Sequence, residues 1–211
     1  GFAHRSLVKD AALILESIKQ IPEASKLYAR AGLFDKAASL LLGAKNFKAA
    51  TPLMAKVTAA RLHAQFAKAM EATHDYVAAA QAYERARDLD AVVRLLVDHL
   101  GHKERAGDIV RQTRSIPAAL HLSRTCQSEG NMRGAIEFLL IAQKPEEAFG
   151  LAMSHDEMEL YVKVLKEFGL DVTPEDYGRI AGYYEGKQDW AAAGRYFVKA
   201  ENDRKALMYF L

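Results

Sequence analysis

Cysteine is almost missing from this sequence: Cys126 stands alone among 211 residues. A single thiol excludes an internal disulfide and any multi-cysteine metal site, and it fits a reducing compartment. No apolar run approaches the roughly 20 residues needed to span a bilayer. Period-two alternation of strand length is lacking, and no Pro/Gly/Ser linker is long enough to mark a domain boundary. Charge of one sign is lacking too. The formal net charge is +2, so the surface as a whole exerts no strong pull on nucleic acid or membrane. What is present is ordinary for a folded chain, with 50% hydrophobic and 27% charged residues, and this excludes disorder. The chain opens at Gly1-Phe2 with no initiator Met and no signal-peptide pattern. It closes on the apolar run Leu207-Met208-Tyr209-Phe210-Leu211 with no helix stop signal. The expectation is one continuous segment, residues 1–211, cut from a longer polypeptide.

Against these absences, one pattern occurs four times. Counting from a final alanine, Ala44, Ala86, Ala142 and Ala200 align. Seven residues earlier stand Ala37, Ala79, Ala135 and Ala193, and between them Leu41, Tyr83, Leu139 and Phe197. In a preceding helix the small residue is Ser25, Ala67, Ser123 or Ala181, followed three later by Tyr28, Met70, Cys126 or Tyr184. The turn between carries Phe34, Tyr76, Met132 or Trp190. Antiparallel helices approach closely only where side chains are small, and the large residues then fill the groove to the next hairpin. An isolated hairpin cannot bury such a face, so the units stack. The fold predicted is all-α, an irregular tetratricopeptide-like α-solenoid of stacked antiparallel helical hairpins.

The final alanines lie 42, 56 and 58 residues apart, whereas a standard repeat of this type is about 34. Degenerate hairpins are therefore expected between the clear ones, with about fourteen helices in one rod. Pro22, Pro117 and the run Thr173-Pro174-Glu175-Asp176 mark helix starts. Gly32, Gly43, Gly101 and Gly130 mark turns.

Several clusters imitate catalytic or binding sites. The run Gly182-Tyr183-Tyr184-Glu185-Gly186-Lys187 has three residues between its glycines where a phosphate loop has four, and Gln188 replaces the metal-binding Ser or Thr. The run Asp98-His99-Leu100-Gly101-His102 offers two imidazoles and a carboxylate, short of the roughly four ligands of a closed metal site. Cys126, one turn after His121, occupies a packing position of the repeat and reads as a buried hydrophobe. No catalytic, cofactor or metal residue is assigned, and the chain is expected not to be an enzyme.

Charge is unevenly spread. Residues 36–70 contain Lys36, Lys45, Lys48, Lys56, Arg61 and Lys68 and no Asp or Glu. Residues 145–176 contain Glu146, Glu147, Asp156, Glu157, Glu159, Glu167, Asp171, Glu175 and Asp176 against Lys163 and Lys166. Lys45, Lys48, Lys56, Arg61 and Lys68 form a candidate protein-contact strip for an acidic partner. Membrane contact is expected to be only indirect or weak, because no amphipathic membrane-surface helix accompanies these charges. Neither a nucleic acid nor a small-molecule substrate is expected as a partner.

Three runs, Tyr28 to Ser39, Gln65 to Ala72 and Ala79 to Glu84, resemble the intraflagellar transport protein 144 family, the WD-repeat subunit of intraflagellar transport complex A. Further matches at Asp98 to Leu100, Ile109 to Thr113, Ala135 to Leu139, and Glu175 to Tyr177 with Tyr184 to Gly186 follow in order. The resemblance implies a central part of a long helical-repeat tail, with WD-repeat propellers before it and zinc-binding cysteines beyond it. It implies partnership with other complex A subunits, retrograde transport, ciliary entry of membrane-protein cargo, and residence at the cilium or flagellum and its base. It supplies no catalytic residue. Two alternatives are a peptide-binding tetratricopeptide adaptor and a vesicle-coat solenoid segment. A carboxylate-clamp adaptor needs asparagines projecting from first helices, whereas Asn46, Asn131 and Asn202 fall at turns.

Overall fold

The computed structural model describes residues 2–168 and 172–210; Gly1, Gly169, Leu170, Asp171 and Leu211 lie outside the described residues. Among the described residues there are fifteen α-helices and no strand. The chain divides into two compact units, residues 1–112 and 113–211. The first contains α1 (Phe2–Ser17), α2 (Ile21–Arg30), α3 (Phe34–Gly43), α4 (Phe47–Met54), α5 (Ala60–Ala72), α6 (Tyr76–Ala86) and α7 (Leu89–Asp98). It closes with α8 (Lys103–Thr113), whose last residue falls to the second unit. The second contains α9 (Ile116–Ser128), α10 (Met132–Ile141), α11 (Pro145–Ser154), α12 (Met158–Glu167), α13 (Pro174–Gly186), α14 (Trp190–Lys199) and α15 (Asp203–Phe210).

Most helices are joined by one recurring turn. After α13, Gln188 adopts a left-handed φ of 61° and donates its N–H to Glu185 O at 3.0 Å. Asp189 then donates its N–H to Tyr184 O at 3.0 Å, and its side chain accepts from Ala192 N at 3.0 Å. The first pair of bonds is a Schellman stop; the last is an N-cap. Asp189 thus ends one helix and begins the next. The same geometry recurs at Lys45-Asn46, His74-Asp75, Arg87-Asp88 and Gly130-Asn131. Before α13 a different start is used: Thr173 and Asp176 form a reciprocal capping box ahead of Pro174.

Gly32, Gly101 and Gly130 take positive φ as their turns require, but Gly43 does not. It is the last residue of α3, and Lys45 takes the left-handed position instead. Lys19, Arg114, Gln143, Asp156 and Glu201 do likewise. Each holds a conformation that costs an L-residue about 1–2 kcal/mol.

Helix count explains the uneven repeat spacing. Three helices, α4 to α6, fill the 42 residues from Ala44 to Ala86. Four fill each of the longer intervals, α7 to α10 and α11 to α14. The expected degenerate hairpin between the first two copies is therefore a single short helix, α4, with Pro52 inside it.

Ala37, Ala79, Ala135 and Ala193 are fully buried, as are Ala67 and Ala181 on the facing helices. Buried Ser25 on α2 donates to Ala37 O on α3 at 3.1 Å, so the two backbones meet at this pair. Leu41, Tyr83, Leu139 and Phe197 are buried beside them. The final alanines behave differently. Ala142 is buried, Ala86 and Ala200 are half-buried, and Ala44 is exposed. They stand at helix ends, directly before the left-handed residue, where the chain leaves the interface.

Candidate protein-contact surface

The acid-free stretch occupies α3, α4, their turn, and α5. Lys45 sits in the left-handed turn, Lys48 on α4, Lys56 in the connection after α4, and Arg61 and Lys68 on α5. The strip is therefore built from two successive helices, α4 and α5, and from the connections before each of them. All five side chains are exposed, and none forms an ion pair with a described residue. Arg61 and Lys68 are seven residues apart, which places them on one face of α5. The Lys56 ammonium lies 4.8 Å from the centre of the Phe34 ring, a cation–π contact that holds its stem against α3. Lys36 is the exception, bound to Glu16 at 2.9 Å.

Asp35, just before the stretch, reaches into it. Its carboxylate accepts from the backbone N–H and the hydroxyl of Thr58, each at 2.8 Å. The Thr58 backbone bond leads the causes that hold its carboxyl below the usual range. That contact ties the connection bearing Lys56 to the start of α3.

The acidic stretch is arranged in the opposite way. Arg179 grips Glu146 with two bonds of 2.8 and 2.7 Å, while its guanidinium lies 4.4 Å from the Phe149 ring centre. Lys187 pairs with Asp156 at 3.0 Å, and Tyr183 donates to the same carboxylate. Arg133 pairs with Glu167, Lys144 with Glu147 at 3.2 Å, and Tyr184 donates to Glu159 at 2.9 Å. Asp176 is held in the capping box. The acids are largely occupied within the chain; the basic strip is not. The partners lie up to 34 residues away in sequence, beyond the reach of a local reading of charge.

A second device was not visible in sequence. Tyr28 on α2 donates to Glu16 on α1 at 2.6 Å, and Lys36 on α3 binds that same carboxylate. Tyr83 on α6 donates to Glu71 on α5 at 3.0 Å, and Arg94 on α7 binds Glu71 at 2.7 Å. Both pins join three consecutive helices, with the glutamate twelve residues before its tyrosine. That recurrence at twelve was the signal available. Burial, then the neighbouring carboxylate, pushes the Tyr28 and Tyr83 hydroxyls up to about 12.

The clusters that imitate chemistry take structural places. His99 stacks flat on Tyr76, ring centres 3.8 Å apart. No group of three or more His, Cys, Asp or Glu among the described residues could hold a metal ion. Gly182 and Gly186 lie within α13, whose helical backbone does not form the loop that cradles a phosphate. Cys126 is buried, and a Cβ built on Gly134 would stand 2.8 Å from its sulfur, so Gly134 is the neighbour that makes room for it. No helix among the described residues is long and apolar enough to cross a membrane.

A family model for the TPR domain of intraflagellar transport proteins 140 and 172 matches residues 53–210. WD repeat-containing protein 19 of Homo sapiens is 38% identical over 207 residues, covering 98% of this chain and 15% of its own length. The Mus musculus protein of that name gives the same figures. WD repeat-containing protein dyf-2 of Caenorhabditis elegans is 35% identical over 165 residues, covering 78% of this chain and 12% of its own length. The chain thus spans about 15% of the length of the mammalian relatives it matches. The resemblance carried by the ordered runs from Tyr28 to Gly186 therefore extends along the chain. With the model matching well over half of its residues and the helices paired as described, the chain belongs to the family of intraflagellar transport TPR domains typified by proteins 140 and 172.

Proposed function

We propose that this chain is a protein-binding scaffold segment of a ciliary intraflagellar transport complex A subunit, and that it works without catalysis. The two units are read as consecutive stretches of one repeat array, because the alanine pattern recurs in both. Its role is to support complex assembly, and through it retrograde transport and ciliary entry of membrane-protein cargo. Its place is the cilium or flagellum and its base, on the cytoplasmic side. The family resemblance and the relatives' names support this setting.

The observation that carries the contact reading is the contrast in pairing. Glu146, Glu147, Asp156, Glu159, Glu167 and Asp176 are engaged within the chain, whereas Lys45, Lys48, Lys56, Arg61 and Lys68 are exposed without an ion pair to any described residue. Exposed cations left free attract an acidic partner surface, chiefly by speeding association. A clamp-type adaptor is disfavoured by a specific observation. Asn46, Asn131 and Asn202 accept from Ala49 N, Gly134 N and Lys205 N, so all three serve as helix caps.

The test is reversal of Lys48, Lys56 and Arg61 to Glu in the full-length subunit, followed by affinity purification from ciliated cells. Retention of complex A subunits should fall in the variant, and in the parent it should weaken steeply as salt is raised, while the variant's melting temperature stays within a degree or two, since exposed charges contribute little to folding. Undiminished retention with intact folding would leave the strip as a solvated face.

A further inference from the structure

Residues 113–211 carry 12 Lys and Arg against 15 Asp and Glu, so this unit is acidic overall. Within it, Arg133, Lys144, Arg179, Lys187 and Lys205 are all matched to carboxylates. Four other cations converge instead on one groove. Lys163 and Lys166 project from α12 and Arg195 and Lys199 from α14, lining an open cleft of about 650 Å³. All four are exposed, and none forms an ion pair with a described residue. Like charges gathered this way repel one another, an arrangement that an anion would relieve.

We propose that this groove is a docking site for an acidic peptide segment of a partner protein, with an apolar side chain set between its carboxylates. The surrounding residues are arranged for such an occupant. Glu159 is the one carboxylate among the described lining residues, and it accepts from the Tyr184 hydroxyl at 2.9 Å and interacts with Tyr196. It is thereby engaged by tyrosine hydroxyls, and no ion pair joins it to a lysine among the described residues. Lys199 is positioned by two rings, its ammonium 5.1 Å from the centre of Tyr196 and 5.7 Å from that of Tyr177. Spacings of three and four place Lys163 with Lys166, and Arg195 with Lys199, on single faces of their helices. Val162 and Val198 line the groove as well, and Val198 is 54% exposed, which leaves an apolar contact for a side chain between two acidic ones.

The shape selects a peptide over other anions. A bilayer surface is met by a convex or flat basic face, whereas these charges flank a cleft with apolar walls. A base needs an open aromatic face to stack upon, and Tyr196 is buried beneath Lys199. This surface lies in the other unit from the strip at 45–68 and does not depend on it.

The test is fluorescence anisotropy of the 211-residue chain with a fluorescein-labelled peptide, Glu-Glu-Leu-Glu-Glu, and its control, Gln-Gln-Leu-Gln-Gln. The acidic peptide should bind saturably at low ionic strength and weaken about tenfold or more at physiological salt. Reversing Lys163, Lys166 and Arg195 to Glu should abolish that binding without moving the melting temperature. The milder Lys163→Gln and Arg195→Gln should each weaken it severalfold, which keeps the test decisive if the triple variant fails to fold. Reversing Lys48, Lys56 and Arg61 should leave it unchanged. Equal binding of the glutamine peptide, indifference to the α12 and α14 substitutions, or binding only to phosphatidylserine vesicles would each overturn the proposal.

Discussion

Tyr83 on α6 donates its hydroxyl to Glu71 on α5 at 3.0 Å, and through that carboxylate both are tied to Arg94 on α7. The Arg94 bond leads the causes that hold Glu71 below the usual carboxylate range, with Tyr83 adding to it; Glu16 is lowered likewise by Tyr28 and then Lys36. A carboxyl with a depressed folded-state pKa contributes stability above its unfolded value, and loses it as pH falls through the lowered value. The tyrosines act at the other limb. Their hydroxyls, pushed up to about 12, contribute stability below about pH 10 that is lost as pH climbs from there. Glu71→Gln should therefore lower stability by about 1 kcal/mol at neutral pH and reduce the loss on acidification. Urea unfolding at several pH values measures both, and a variant with the parent's acid limb would refute the pin.

The turns make opposed predictions at adjacent residues. Gln188→Gly removes the left-handed strain and should stabilise by about 0.5–1 kcal/mol, after the added freedom of the unfolded chain is set against it. Asp189→Ala deletes the cap on Ala192 N and should cost about 1 kcal/mol. Urea midpoints moving in the same direction for both would contradict the turn geometry.

Ala193 and Ala44 separate two kinds of repeat alanine. Ala193→Leu should destabilise by about 1–3 kcal/mol, since Ala193 is fully buried beside Phe197 and Tyr196. Ala44→Leu, at an exposed helix end, should stay within about 0.5 kcal/mol of the parent. Thermal melts of the pair suffice as the check.

Gly134 offers a double-variant cycle. Gly134→Ala improves helix propensity by about 1 kcal/mol but sets a methyl 2.8 Å from the Cys126 sulfur. Net destabilisation is expected, since the Asn131 amide also lies 3.0 Å from that methyl, and Cys126→Ala should relieve part of it, giving a favourable coupling of about 1 kcal/mol. Additive effects of the two substitutions would show that the contact is not the cause.

The hairpin crossings were legible because they depend on residue size at fixed spacing, as at Ala37 with Ser25. The turns were less so: a left-handed Lys45 or Gln188 leaves no glycine to read, and Gly43 pointed two residues short of the true position. The caps Asp75, Asp88 and Asp189 were in plain view, but their identity as turn residues depends on the stop before them. Local charge density marks the strip at 45–68 in the sequence. The groove cations are not marked in this way, because Lys163 and Arg195 are 32 residues apart and Lys163 stands among Glu157, Glu159 and Glu167 in sequence.

A residue such as Asp189, which closes one helix while opening the next, leaves no slack between them. Inserting or deleting one residue there would misplace a stop and a cap together. Length change along this lineage is therefore expected in steps of a whole helix with its turn, and the 42- and 56-residue intervals differ by 14 residues and one helix. Smaller changes in length are expected only in connections outside the pattern, such as the one around Gly101.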